Sequence, residues 1–320
     1  MKTYTNPVFP DYFADPFVLE HAGTYYAYGT TPGTQQHGVF ALLSSPNLTD
    51  WTPLGRVLAP LESGWTDYWA PEVAQHGGRF YLYFSAGRGD RGHHLRVAVA
   101  DHPAGPFTDQ NLVLTPDLPF AIDPHPFRDE DGQWYLYYAT DLLDGERVGT
   151  SLVVQPLRDM LTLEGGPQTV LRASHDWQRY QAERNMYGAV YDWHTLEGPF
   201  VVRRGGSYYC FYSGGAWTDP SYGVSYAVAG APLGPWHEPE AGTPVILKTV
   251  TGHVIGPGHN SLVQAPDGET VVVYHAWDVA QTARRLCVDR LDWTPEGPRL
   301  RGPTWTPQPG FSNPSESVEW

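Results

Sequence analysis

The sequence predicts an all-β fold, a five-bladed β-propeller, from three observations. Five related segments recur along nearly the whole chain, and a period of this size is the signature of a propeller or solenoid. The 320 residues include 34 Gly and 30 Pro, scattered between short apolar runs, which favours many turns and few long helices. Each repeat also reads as several short strands, and five blades of four strands lie within the range that propellers use.

The elements of the first repeat follow in order. Residues 16–20 form an apolar run, His21-Ala22-Gly23 turns the chain, and residues 24–29 alternate as a second strand. Residues 39–44 make a third strand and residues 51–57 an outer fourth, after the turn Ser45-Pro46-Asn47. Gly, Asp and Pro between β-branched and aromatic runs are hairpin signals. Later repeats share a strand, a Pro-Gly turn and an aromatic residue. Trp51, Phe107, Trp236 and Trp293 occupy that place and are expected to fill the core between blades. The widest gap between repeats holds residues 174–194, polar and aromatic together, which predicts an ordered loop that shapes a binding site. The Pro-rich tail from Gly302 to Trp320 is expected to wrap the base or close the last blade.

Composition narrows the function. The repeat covers nearly all of residues 1–320, so one domain is expected. A formal net charge of −15 disfavours nucleic acid and anionic membranes and admits a neutral or cationic substrate. Cys210 and Cys287 lie far apart in strand-like runs, which predicts buried free thiols and no zinc site. No apolar stretch reaches the ~20 residues of a membrane span. The N-terminus has no apolar signal core, so the expected location is cytoplasmic, or secreted if a leader has been removed. The oligomeric state is left open.

Within the repeats, Asp15, Glu72, Asp123, Glu197 and His259 each stand just ahead of a turn and a strand. Their separations are 57, 51, 74 and 62 residues. Equivalent positions of propeller blades converge on one axis, so the pattern gathers four carboxylates and an imidazole at a point. Carboxylates in proximity have their pKa values pushed apart, which is what acid–base chemistry requires. A single Asp-Pro or Glu-Gly-Pro is an ordinary turn; three acids at matched places in the repeats argue for more.

The chain resembles glycoside hydrolase family 43, five-bladed propellers that cleave arabinose- and xylose-containing glycans with inversion. The resemblance rests on A-D-P-F at 14–17, W-A-P-E-V at 69–73, A-I-D-P at 121–124, E-G-P at 197–199, G-P-G-H-N-S at 256–261 and Y-H-A-W-D at 274–278. It implies that Asp15 is the general base, Glu197 the general acid, and Asp123 the third acid that orients Glu197 and raises its pKa. An inverting enzyme needs a base and an acid roughly 6.5–9.5 Å apart, with water between.

Four further residues are candidates for substrate contact. Trp69 offers a stacking face for a sugar or packs in the core. Glu72 stands where the family usually has Asp; it binds a sugar hydroxyl or, the favoured role, pins its blade. Arg284 and Arg285 lie where the family often has an arginine near the acids, and Arg285 is expected in the site. His125, two residues after Asp123, is expected on the same side of its strand, lining the pocket. The resemblance turns His259 toward the central channel. Hard cations prefer oxygen ligands, so no cofactor is expected to be required, and an axial calcium or sodium ion would meet His259 through water.

The expected substrates are plant cell-wall oligosaccharides, with exo-acting release of terminal α-L-arabinofuranosyl units from arabinan or arabinoxylan. β-D-xylosidase activity, alone or alongside, is the close alternative, then endo-arabinanase. Family β-xylosidases commonly carry a C-terminal β-sandwich that this sequence does not include. A retaining fructosidase would need Asn-Asp-Pro and Arg-Asp-Pro where Ala14-Asp15-Pro16 and Ile122-Asp123-Pro124 stand. A non-catalytic sugar-binding propeller is the last alternative.

Overall fold

The computed structural model describes residues 2–32, 38–61 and 64–311. The fold is all-β, with a single three-residue 3-10 turn, Asp176–Gln178, among the described residues. Three four-stranded antiparallel sheets begin with Ala14–His21, Asp67–His76 and Ile255–Gln264. A ten-stranded sheet holds two further antiparallel arrays, led by Ala121–Arg128 and Ala189–Arg204. The two arrays join through a short parallel pairing, Gly149 with His194 and Thr150 with Thr195. In chain order, the five leading strands head what are called here the first to fifth arrays. The leading strands touch in closed order, first to second, on to the fifth, and fifth back to first.

Apolar alternation explains how the arrays pack. Tyr137, Tyr212 and Tyr274 are fully buried on second strands, and Val272, Val273 and Leu286 are buried beside them in the fifth array. The four aromatics expected between repeats stand there. Phe107 meets Tyr28 of the preceding array at 6.4 Å, and Trp236 meets Tyr137 at 6.1 Å. Trp293 lies 5.0 Å from Tyr209. Trp51 packs on the cluster that holds Val263 and Val271 of the fifth array. Such edge-on pairs contribute about 0.5–1.5 kcal/mol each beyond their buried area. Cys210 and Cys287 are free and buried.

The ends of the described chain meet. Thr3–Tyr4 pairs with Gln308–Pro309, and Tyr4 stacks on Phe311 at 5.2 Å. The tail thus returns to the N-terminal segment as far as Phe311; its last residues, 312–320, lie outside the described residues. The 174–194 segment is not a loop. Arg179–Met186 pairs with the start of Ala189–Arg204, so the leading strand of the fourth array continues for 16 residues into a projecting hairpin. No described helix is long and apolar enough to cross a membrane.

Candidate active site

The site is built from one backbone device repeated in every array. Each leading strand slips register against its neighbour at a two-residue bulge. The bulges are Asp15-Pro16, Ala70-Pro71, Asp123-Pro124, Gly198-Pro199 and His259-Asn260. The first residue of each has a left-handed φ: 51°, 49°, 58°, 56° and 49° in that order. Four of the five pairs are X-Pro; proline cannot donate to a ladder and disfavours helical geometry in the residue before it, so those pairs interrupt the strand there. Holding Asp, Ala or His left-handed costs on the order of 1–2 kcal/mol each, and bulges of this kind serve to re-aim side chains.

Four of the five freed N–H groups are taken by neighbouring side chains. Ala70 N–H donates to Thr30 Oγ1 at 2.9 Å, and His259 N–H donates to Ser213 Oγ at 2.7 Å. Asp15 N–H donates to Nδ1 of His275 in the fifth array at 3.1 Å. Thr30, Ser213 and His275 occupy the same place on second strands, opposite Ala14, Glu197 and Gly258. The third array has Ala139 there, opposite Ile122. With no hydroxyl available, Gly198 N–H donates instead to Asp123 Oδ2 at 2.9 Å. A Cβ on Gly198 would press on the His259 ring at 3.3 Å, and its φ of +56° also favours glycine.

This register corrects the sequence alignment. Asp15, Asp123 and His259 are equivalent, but Glu197 precedes its bulge by one residue and Glu72 follows its bulge by one. The residue equivalent to Glu72 in the third array is His125. The bulge adds a residue after Asp123, so His125 turns away from the cavity rather than lining it. His125 Nε2 accepts from Val201 N–H at 2.9 Å, which leaves Nδ1 to donate to Glu72 Oε2 at 2.7 Å. Both side chains are buried. Glu72 and His125 pin the second array to the third and fourth, and neither reaches substrate space.

A cavity of about 400 Å³ opens above the bulges. Asp15, Asp123, Glu197, His259, Trp69 and Arg284 all line it, with Tyr180 and Trp217. Arg284 Nη1 donates to Asp15 Oδ1 at 3.1 Å, and its Nε and Nη2 donate to Tyr12 Oη at 3.0 and 2.6 Å. Burial works to raise the Asp15 pKa. The Arg284 guanidinium outweighs it, with His259, His275 and a hydrogen bond from Thr30, and holds the carboxyl well below the usual range. Arg285, expected in this site, faces the other side of its strand and pairs with Asp278 at 2.9 Å. Strand alternation decides between the adjacent arginines, and the charge beside the acids is Arg284.

Glu197 has the opposite environment. Burial first, then the charge of Asp15, push its pKa up to about 7, against a hydrogen bond from Tyr222 and the positive charges of Arg284 and Arg184. Tyr222 Oη donates to Glu197 Oε1 at 2.6 Å. Tyr222 reaches there because residue 258 is glycine; a Cβ would lie 2.1 Å from the phenol ring. Asp123 is raised well above the ordinary value by burial, by Glu197 and by Asp15, although the Gly198 N–H bond opposes this. Burial also lowers His259, so its imidazole tends to be neutral; Nδ1 stands 3.5 Å from Asp15 Oδ1. Trp69 stacks one face on His93 at 3.7 Å and lines the cavity.

Asp123, Glu197 and His259 each offer a donor atom, all within 4.8 Å of one another, and among the described residues they form the one such group. They fit a hard cation poorly. Two carboxylates and an imidazole fall short of the 6–8 oxygens calcium takes. Both carboxyl groups, moreover, sit where the protonated form is favoured.

Sequence reasoning missed Tyr222, Tyr180 and Trp217: Trp217 and Tyr222 come from the loop between Ser207–Gly214 and Gly223–Ala229, and Tyr180 from the projecting hairpin, rather than from a repeated motif. The pairing of His275 with Asp15 had a signal, Y-H-A-W-D, without a derivable role.

The family model described as "Glycosyl hydrolases family 43" matches residues 4–298. A β-D-galactofuranosidase of Aspergillus niger is 31% identical over 91% of this chain and 83% of its own length. An extracellular exo-α-(1→5)-L-arabinofuranosidase of Streptomyces avermitilis is 28% identical over 92% of this chain, which spans 62% of that relative. Among solved structures, a thermostable family-43 glycoside hydrolase matches with a TM-score of 0.84 and 36% identity, over 97% of this chain and all of that one.

Proposed function

The chain belongs to glycosyl hydrolases family 43, and from that premise we propose an inverting, exo-acting α-L-arabinofuranosidase on a five-bladed propeller forming one domain. The observation that carries the mechanism is the opposed state of two acids in one cavity: Asp15 held ionised by Arg284, and Glu197 pushed up to about 7. Asp15 takes a proton from water as its oxygen attacks the anomeric carbon. Glu197 gives its proton to the departing glycosidic oxygen as that bond breaks. The proton on Asp15 then returns to solvent, and Glu197 is reprotonated. Burial and the charge of Asp15 keep the acid protonated, and Asp123, by accepting from Gly198 N–H, fixes the backbone beside Glu197. His259 holds the inner wall, and Trp69 supplies an apolar face for the sugar ring. No metal is required for these steps.

Arabinofuranose is supported by relatives whose names specify furanosidases, including the exo-acting arabinofuranosidases of Streptomyces and Cellvibrio japonicus. The second reading is a β-D-xylosidase, since a 27% identical relative from Xylanibacter ruminicola is named a putative β-xylosidase. The test compares initial rates on p-nitrophenyl α-L-arabinofuranoside, β-D-xylopyranoside and β-D-galactofuranoside, with Glu197→Ala as control. Arabinoside cleavage that the variant loses supports the reading. Dominant xyloside or galactofuranoside cleavage replaces the sugar. A product formed first as the same anomer as the substrate, by NMR, refutes inversion.

A further inference from the structure

The projecting hairpin carries a contact the chemistry above does not use. Arg184, on Arg179–Met186, donates from Nη2 to Asp90 Oδ2 at 2.8 Å. Asp90 belongs to the turn after Arg79–Arg88 of the second array and lines the cavity. The guanidinium lies 4.8 Å from the centroid of Tyr180, another cavity residue, and 5.3 Å from that of Trp193. The Arg184 side chain is only 14% exposed, although most of its hairpin neighbours face solvent. Both ends of the contact are anchored. Gly89 N–H donates to Asp67 Oδ2 at 2.6 Å, which fixes the turn. Tyr187 Oη donates to Asp141 Oδ2 at 2.7 Å, which fixes the hairpin tip to the third array.

We propose that Arg184 is a specificity-determining positioning residue, strapping the fourth-array hairpin to the 89–90 turn so that this side of the cavity admits a chain end and not a chain interior. The inference rests on the exo-acting reading and gives it a physical cause. The strap runs from the fourth array over the third to the second and seats Tyr180 on the cavity wall. A polysaccharide lying across the acids in both directions would have to pass through the Arg184–Asp90 contact. Released, the same wall becomes one side of a groove.

The test uses Arg184→Ala, Asp90→Ala and the double variant in the full chain. Products from linear α-(1→5)-arabinan are followed by chromatography at low conversion, or from linear xylan if xylosides are the better substrates. Wild type is expected to release monosaccharide alone, and Arg184→Ala to release di- and trisaccharides as well. On the aryl glycoside at about pH 5, where Glu197 is protonated with or without the Arg184 charge, KM should rise roughly fivefold with kcat changed by less than about twofold, the pattern of binding lost equally from the ground and transition states. The double variant should match Arg184→Ala, because both changes remove one contact. Amide exchange over residues 179–190 should quicken in Arg184→Ala, a readout independent of substrate. Unchanged exchange overturns the strap. Faster exchange with monosaccharide still the sole product overturns the gating role. Oligosaccharides released by wild type itself would instead refute the exo-acting reading.

Discussion

Arg284→Met tests the electrostatic basis of the mechanism most directly. The guanidinium is buried, touches Asp15 at 3.1 Å and packs 4.4 Å from the Trp217 ring centroid. Methionine keeps much of that packing and removes the charge. Two unit charges about 4 Å apart interact by ~4 kcal/mol at an effective dielectric of ~20. At ~1.36 kcal/mol per pKa unit this is about three units, or about two once water enters the space the guanidinium leaves. Burial of Asp15, now opposed only by its weaker partners, then moves the base upward. The sign is definite: the variant loses activity as pH falls, where Asp15 is now protonated and wild-type Asp15 is not. Glu197 moves upward too, since Arg284 also lowers its pKa, but that change extends activity at high pH. The ratio of variant to wild-type kcat/KM should therefore rise between about pH 2.5 and 5, with the acid limb displaced by about two pH units. The assay is a pH profile on the aryl glycoside, with circular dichroism at each pH to confirm folding. A ratio flat across that range refutes the claim that Arg284 sets the ionisation of the base.

Tyr222→Phe removes the hydrogen bond that lowers the Glu197 pKa, so the basic limb of kcat/KM should move upward by about one unit while peak activity falls; a downward shift would reverse the assigned role of the phenol. Glu197→Gln bears on stability. A carboxyl raised from 4.5 to about 7 by folding makes the folded state bind the extra proton, so wild type loses up to about 3 kcal/mol as pH rises through that window. The variant, with nothing to deprotonate, should gain in Tm relative to wild type between pH 5 and 8, and equal differences at both ends would refute this. Exhaustive chelation should leave kcat/KM unchanged; loss of activity restored by calcium would show that Asp123, Glu197 and His259 serve a cation after all.

Most of the fold was legible because each level of the sequence carries the same period. The hairpin turns, the alternating strands and the recurring aromatics at 51, 107, 236 and 293 agree, and each aromatic packs where the repeat predicts. Residues 174–194 read as a loop in the sequence because polar residues on an exposed hairpin mask its strand pattern; within the hairpin only Met186 and the Trp193-His194 end of the pairing are buried. Arg284 and Arg285 could not be told apart by distance from Y-H-A-W-D. Only the register, with Trp277 opposite Arg284, says which of the two faces the acids.

The candidate acids themselves were visible, but their geometry was not, because it depends on a bulge. Counting residues aligned Glu197 with Asp15. Pairing shows that Asp15 stands on its bulge and Glu197 one residue before its own. The difference assigns their chemistry. A residue on the bulge turns its N–H to the preceding array and its side chain to the axis, where the short Asp15 meets Arg284. A residue before the bulge stays in the ladder opposite Ser213, where the longer Glu197 meets the Tyr222 phenol beside the glycine that makes room for it. One carboxyl is therefore delivered to a cation and the other to a buried neutral donor. The two acids differ in ionisation because the backbone presents them from different positions of the same repeated device.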